Sequence, residues 1–556
     1  MTGELHHSLG DALEDAVDSW LAEDPDPATQ LALTNLRDRA RDGDPSARSE
    51  LADAFTGTLT FGTAGLRGAL GPGPNRMNRV VVTRAAAGLA GYLVAAGHSG
   101  GRVIVGYDAR YNSDVFARDT AEILAGAGLR PLLCAQHQPT PVVAFGIRHL
   151  GCVAGVIVTA SHNPPQDNGY KVYLGDGSQI IPPADADIAS QIAAASERPL
   201  ADLPRGDSVD VVGDELVQAY LARAVTLVDP DAPREVVWVH TALHGVGGAV
   251  VARAAEAAGF PAPHQVGAQA EPDPAFPTVA FPNPEEPGAI DLALAKALEL
   301  GADVALANDP DADRCALACP VDGHWRMLSG DELGWLLATA SLDAGVRGTY
   351  ACSVVSSTLL ADLAAAHGQP FTPTLTGFKW IARVPGLAFG YEEALGYCTD
   401  PGAVADKDGI TALLRVLALV ARLKAEGRSV ADLLDQLARD HGVCLTEPLS
   451  YRVEEVSLIA DAMARLRATP PGLLAGERVD VVDLAAGTAQ LPPTDGLVFT
   501  GERVRAVVRP SGTEPKLKCY LQVRLPPGAG DLAVARAEAS ALMARLRAEV
   551  ARALAL

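Results

Sequence analysis

The chain has 556 residues, more than one compact core serves, and its 48% hydrophobic and 20% charged residues are the balance of a multidomain globular protein. A formal charge of −23 excludes an extended nucleic-acid surface, which needs clustered Lys and Arg, and no run approaches the ~20 apolar residues of a membrane helix. The 8 cysteines are scattered without C-x-x-C spacing and read as reduced, buried thiols, and the acidic, amphipathic first twenty residues lead to the expectation of a cytoplasmic location.

In chain order, Leu9 to Ala40 reads as helical and polar, broken at Pro25 and Pro27, so residues 1–45 form a helical preface. Residues 46–204 read as a first α/β domain. Strands at Val80–Val82, Val103–Val105, Pro131–Cys134 and Val153–Val158 alternate there with helical patterns at Ala85–Ala96 and Val115–Ala127. A second α/β domain, 205–320, has strands at Val236–Val239 and Asp303–Ala307 around a helix at Ala249–Ala258. A third, 321–440, has a helix at Asp331–Leu342, a strand at Tyr350–Val355, and helices at Ser357–His367 and Gly409–Glu426. The last stretch, 441–556, reads as a smaller α+β domain, with strands at Arg503–Val508 and Lys516–Val523 and a final helix at Asp531–Ala553.

The strand Val153–Val158 runs into TASHNPPQDNGYKVY, a polar loop with Ser161, His162 and Lys171. Ligands gather beyond the carboxyl ends of strands in α/β sheets, so these side chains make a candidate nucleophile with proton-transfer partners. Alone, the loop reads more readily as a Ser/Asn turn, and the motifs that follow overturn that reading. NDPDADR follows the strand Asp303–Ala307 and sets Asp309, Asp311 and Asp313 at alternate positions, where extended backbone projects their carboxylates to one side. Three convergent carboxylates call for a hard divalent cation. An EF-hand fails because Arg314 and Pro320 stand where glycine and a bidentate glutamate are needed, so Mg²⁺ shared with a phosphate fits better.

RPSGTEPK lies between two strands, and Arg509, Ser511, Gly512 and Thr513 offer a guanidinium, hydroxyls and free backbone N–H groups to a phosphate. In the third domain Glu392 and Glu393 (GYEEALGY) are candidate acceptors for sugar hydroxyls, and Lys379 (TGFKW) and Lys407 (ADKDG) candidates for a second phosphate. TFGTAGLRG places Arg67 in a glycine-rich loop suited to an anion. HGVGGAV lacks the third glycine of a dinucleotide fingerprint, which discounts nucleotide binding.

In this order, TASHNPPQDNGYKVY, NDPDADR, GYEEALGY and RPSGTEPK resemble the α-D-phosphohexomutase superfamily over nearly the whole chain after the N-terminal helices. TFGTAGLRG, PNPEEP, TGFKW and GYEEALGY resemble its phosphoglucomutase/phosphopentomutase-like branch, whose bacterial members are often labelled phosphoglucomutase or phosphomannomutase. The resemblance implies three related α/β domains with mixed sheets and a smaller C-terminal α+β domain around a central cleft.

It also implies a reaction. Ser161 would carry a phosphoryl group, donate it to glucose 1-phosphate, and recover the other phosphate from a reoriented glucose 1,6-bisphosphate to release glucose 6-phosphate. Asp309, Asp311 and Asp313 with a Ser161 phosphate oxygen would hold Mg²⁺. Lys171, its pKa lowered by nearby cations, would be the general acid/base with His162 assisting, and Arg67 and Arg314 would orient the loop. Glu392 would read sugar hydroxyls, and Arg509, Ser511, Gly512 and Thr513 would grip the phosphate that is not transferred.

The more familiar sugar loop is GE-x-SG, whereas Ala394 stands here at the serine position, which leaves the sugar open. Phosphomannomutase and phosphopentomutase are the alternatives, followed by a sugar bisphosphate synthase and a non-catalytic sugar-phosphate-binding protein. The expected partners are small sugar phosphates, with no nucleic acid and no membrane, in a monomer or a dimer.

Overall fold

The computed structural model describes residues 10–453, 455, 457–511, 516–528 and 531–555, in two compact units. The first unit comprises Met1–Pro230, Val237–Cys315 and Gly402–Leu414; the second comprises Asp231–Val236, Ala316–Pro401 and Arg415–Leu556.

The first unit begins with helices Asp11–Glu23, Pro27–Arg41 and Pro45–Ala54. Pro27 and Pro45 start helices rather than interrupt them, each behind an aspartate that caps the free N–H groups. Val17, Trp20, Leu33, Leu36 and Leu51 make a core with Val80 and Ala86. Val80–Val82, read above as a strand, is the first turn of helix Arg79–Ala95, and the Asn78 side chain accepts from Val81 N to cap it. A short β-branched apolar run fits a buried helix as well as a buried strand, and the cap decides.

Six strands of this unit form a mixed sheet, in the order Leu66–Ala69, Asp167–Leu174, Ala154–Val158, Arg102–Tyr107, Arg130–Cys134 and Asp210–Val212. The buried all-apolar strand Ala154–Val158 runs parallel to Arg102–Tyr107 and antiparallel to Asp167–Leu174, with Ile157 opposite Lys171. Arg67 lies opposite Gly169 one strand further out. Lys171 is therefore on a strand, beyond the loop that carries Ser161. Elsewhere in the unit, strands Trp238–Thr241, His264–Gln265 and Val304–Ala307 are parallel, accompanied by helices Gly247–Ala257 and Asp291–Leu300.

The second unit holds a hairpin, Ala316–Val321 with His324–Met327, and helix Gly330–Asp343, which starts at a capping box of Ser329 and Glu332. Its first sheet has the order Phe371–Thr374, Thr349–Ser353, Leu387–Glu392 and Gly396–Cys398, parallel except for the last pair. Its second is antiparallel, in the order Cys444–Arg452, Lys516–Arg524, Val504–Pro510, Leu497–Thr500 and Asp480–Asp483. Helices Ser457–Ala468 and Leu532–Leu554 close the core of this sheet through Met463, Leu466, Leu542 and Met543. Among the described residues no helix is long and apolar enough to cross a membrane.

Candidate active site

Ser161 and the aspartate triplet meet in the first unit. The serine is 4% exposed and adopts φ +52°, a left-handed conformation that costs a non-glycine residue roughly 1–3 kcal/mol and persists where surroundings enforce it. Its Oγ donates to Asp309 Oδ2 at 2.7 Å and lies 3.2 Å from His162 Nδ1. Burial and the nearby Arg314 and Arg67 guanidinium groups push His162 well below the usual imidazole range, so its ring is neutral.

Asp309, Asp311 and Asp313 are fully buried, with a carboxylate oxygen of each within 4.8 Å of the others. Two glycines allow the loop to be this tightly held. A Cβ on Gly245 would lie 2.3 Å from Pro310 Cα, and one on Gly409 would lie 2.2 Å from the Arg314 carbonyl oxygen. The HGVGG turn thus supports the acidic loop, with Val246 N donating to Pro310 O at 2.8 Å.

Lys171 Nζ donates to Asp311 Oδ2 at 2.7 Å and Asp313 Oδ2 at 2.9 Å, and Lys407 Nζ lies 3.2 Å from Asp313 Oδ2. Burial disfavours the Lys171 charge, but the Asp311 and Asp313 carboxylates outweigh it and hold the ammonium above its ordinary range. This departs from the lowered value expected above, because aspartates rather than cations are its immediate contacts. Burial and the two neighbouring carboxylates raise Asp309 well above the usual carboxylate range, whereas at Asp311 burial is outweighed by the Lys171 charge together with hydrogen bonds from Asp309, Lys171 and Thr140, and the carboxyl is lowered.

The donor set fits a hard divalent cation. Asp311 Oδ1 and Asp313 Oδ1 are buried without a hydrogen-bond partner among the described residues, and three clustered carboxylates are the oxygen chemistry that Mg²⁺ takes. Anion-binding groups border the triplet. Arg67 Nη1 donates to Asn163 Oδ1 at 3.1 Å, Arg314 N donates to Asp309 Oδ1 at 3.1 Å, and Arg314 Nε, 3.9 Å from Asp309 Oδ2, is buried without a hydrogen-bond partner among the described residues.

Three supporting residues were not singled out in the sequence, although Tyr173 ends the TASHNPPQDNGYKVY string. Thr140 Oγ1 donates to Asp311 Oδ2 at 2.6 Å, and Tyr173 and Gln179 donate to Asp406 Oδ2 at 2.6 and 2.8 Å. Only the ADKDG string hinted at Asp406. Lys407 sits beside Asp313 in the first unit, not with the third-domain cluster in which its position in the chain had placed it.

The second unit holds Glu392, Glu393, Lys379, Arg509 and Ser511. Glu392 ends strand Leu387–Glu392 and accepts from Gly377 N at 2.5 Å, next to the short helix Phe378–Ile381 that carries Lys379. Glu393 turns inward. Its Oε2 accepts from Ser356 Oγ at 2.9 Å and Ser353 Oγ at 3.2 Å, and burial with the adjacent Glu392 charge raises it to about 7. Arg505 binds the carbonyl oxygens of Val354 and Ser356, so it steadies the turn that holds Glu393. Arg509 lies near the end of strand Val504–Pro510, and Ser511 N donates to Lys516 O at 2.8 Å. Gly512 and Thr513 lie outside the described residues.

Four family models match in succession, described as phosphoglucomutase/phosphomannomutase alpha/beta/alpha domain I over residues 58–199, domain II over 214–322, domain III over 329–441 and the C-terminal domain over 452–539. The chain belongs to the phosphoglucomutase/phosphomannomutase family. It therefore has three α/β/α domains and a C-terminal domain, and is an enzyme of the mutase class, an isomerase that works by phosphoryl transfer.

A Haemophilus influenzae protein described as "Probable phosphomannomutase" is 48% identical over 458 residues, covering 81% of this chain and 93% of its own. The human phosphopentomutase is 33% identical over 578 residues, covering 93% of this chain and 92% of its own. A family member from Burkholderia thailandensis has a similar crystal structure, with a TM-score of 0.69 at 21% identity, covering 89% of this chain and 97% of its own.

Proposed function

We propose that the chain interconverts glucose 1-phosphate and glucose 6-phosphate through phosphorylated Ser161 and a bound 1,6-bisphosphate. The observation that carries this reading is the buried, left-handed Ser161 with its Oγ 2.7 Å from the triplet, because a serine strained into contact with a cation-binding cluster suits a phosphoryl carrier. Asp309, Asp311, Asp313 and Ser161 would hold Mg²⁺, which supplies positive charge against the charge developing on the transferred group.

The remaining work falls to the chain's own groups. A sugar hydroxyl oxygen forms the new P–O bond as the P–Oγ bond breaks; the hydroxyl gives its proton to the neutral His162 ring, and Lys171, held as an ammonium, gives one to Ser161 Oγ. In the return half-reaction Lys171 takes the Ser161 proton back as Oγ attacks, and His162 returns its proton to the sugar oxygen that leaves. Arg67 and Arg314 orient the phosphoryl oxygens, the Arg314 Nε having no hydrogen-bond acceptor among the described residues. Glu392 reads the sugar hydroxyls, Glu393 braces that loop through Ser353 and Ser356, and Lys379, Arg509, Ser511, Gly512 and Thr513 bind the phosphate that is not transferred.

A second reading takes a pentose phosphate as the preferred substrate. It is favoured by Ala394 in place of the sugar-loop serine and by the full-length likeness to a phosphopentomutase. Coupled assays with glucose, mannose and ribose 1-phosphates, each with its bisphosphate, decide between them. Higher kcat/KM for glucose is expected, and a preference for ribose 1-phosphate establishes the second reading. Intact-mass and peptide analysis of the enzyme during turnover is expected to find phosphate on Ser161, and full activity in Ser161→Ala would remove the carrier role.

A further inference from the structure

Arg110, in the YDAR string after strand Arg102–Tyr107, belongs to none of the motifs above. It is 4% exposed. Its Nη2 donates to the carbonyl oxygens of Ser161 at 2.6 Å and Asn163 at 2.5 Å, and its Nη1 to those of Pro164 at 2.8 Å and Asp167 at 3.2 Å. The guanidinium carbon lies 4.9 Å from the Phe276 ring centroid, and Nε lies 3.4 Å from Asp108 Oδ2. Asp108 is itself held, because its Oδ1 accepts from Arg110 N at 3.0 Å and Ser113 Oγ at 2.7 Å.

We propose that Arg110 is the positioning residue of the nucleophile loop. Pro164 and Pro165 bring no N–H groups, so the loop has too few internal donors for carbonyls turned away from water. One guanidinium replaces them with a planar fork that reaches four carbonyls at once. The loop is thereby tied at Ser161 itself and at three positions that follow it, which keeps the serine in its left-handed conformation and its Oγ at Asp309. A lysine cannot substitute, since an ammonium has three donors, no planar fork and a weaker fit to an aromatic face. Arg110 Nη1 and Nη2 donate to backbone carbonyls in and at the end of the loop, which separates its role from that of Arg67 and Arg314.

This assignment rests on the phosphoserine reading, and the test separates the two. Arg110→Lys and Phe276→Leu are compared with the wild type for kcat, KM, thermal melting, and the rate at which the Ser161 phosphate is lost to water, followed by mass spectrometry. A loop displaced by about 1 Å costs about 100-fold, so Arg110→Lys is expected to lose about that factor in kcat with KM little changed and to shed its phosphate faster. Phe276→Leu keeps the carbonyl bonds and is expected to show the same pattern more weakly. If Arg110→Lys does not fold, the Phe276→Leu split between kcat and KM decides.

A wild-type kcat and phosphate lifetime in the folded variants overturns the role of Arg110. So does a kcat loss that disappears when only the folded fraction is counted. Absence of phosphate from Ser161 in the wild type during turnover defeats the phosphoserine reading instead, whatever the variants do.

Discussion

Lys171 is an ammonium wedged between two buried aspartates, and charge balance explains most of its surroundings. Lys171→Met removes one side of that balance, and breaking a buried pair in this way costs about 3–5 kcal/mol. Thermal melting is expected to show that loss, and Mg²⁺ is expected to recover more of it in the variant than it adds to the wild type. Asp408 presents the opposite case. Burial raises it from an ordinary 3.8 to about 6, although the N–H groups of Ile410 and Thr411 and the Tyr220 hydroxyl bind the carboxylate. Between those values the folded chain holds a proton that the unfolded chain has released, so stability falls as pH rises through the window and levels off above it. Asp408→Asn removes the slope. Its melting free energy relative to wild type is expected to improve by about 2–3 kcal/mol between about pH 4 and about pH 7.

At the scale of elements, the acidic loop stays in place because glycines let backbone approach it. Gly409→Ala would force a Cβ to 2.2 Å from the Arg314 carbonyl oxygen, and overpacking of this kind costs about 1–3 kcal/mol. The expected result is a lower melting temperature together with weaker Mg²⁺ binding by calorimetry, and an unchanged affinity would show that the loop relaxes freely. Arg505→Lys should loosen the turn that holds Glu393 and raise KM for the sugar phosphate by about 10-fold, the value of one charge-assisted hydrogen bond, with a smaller effect on kcat.

Which of these elements could be read from sequence follows from how local their signals are. NDPDADR and TASHNPP each carry their chemistry within a few residues, so both loops and the strands before them were legible. Lys171 was read as part of a loop because the Asn168–Gly169 turn signal hid the strand Asp167–Leu174. The Val80–Val82 run pointed to the wrong element because β-branched residues pack equally well in a buried helix. Lys407 and Thr140 reach the triplet from 94 and 171 residues away along the chain, and no pattern in one sequence encodes such contacts.

At the scale of the molecule, a chain of net charge −23 gathers Arg67, Arg110, Lys171, Arg314 and Lys407 around one acidic triplet. Cation binding to the folded state alone raises stability by mass action, about 2.7 kcal/mol at a hundred times Kd. The melting temperature is therefore expected to climb with Mg²⁺ in the wild type and to stay flat in Asp311→Asn. The strand pairing that sets Ile157 opposite Lys171 has a further consequence. On the proposed roles of Ser161 and Lys171, the phosphate carrier and its proton partner would ride on one β-hairpin, moving as a single piece that cannot trade places between the two half-reactions. The sugar would then be the part that turns. How often the bisphosphate escapes instead of completing that half-turn then becomes a property of the sugar's ring and length. An isotope chase should find pentose and hexose bisphosphates leaking from the same hairpin at different rates.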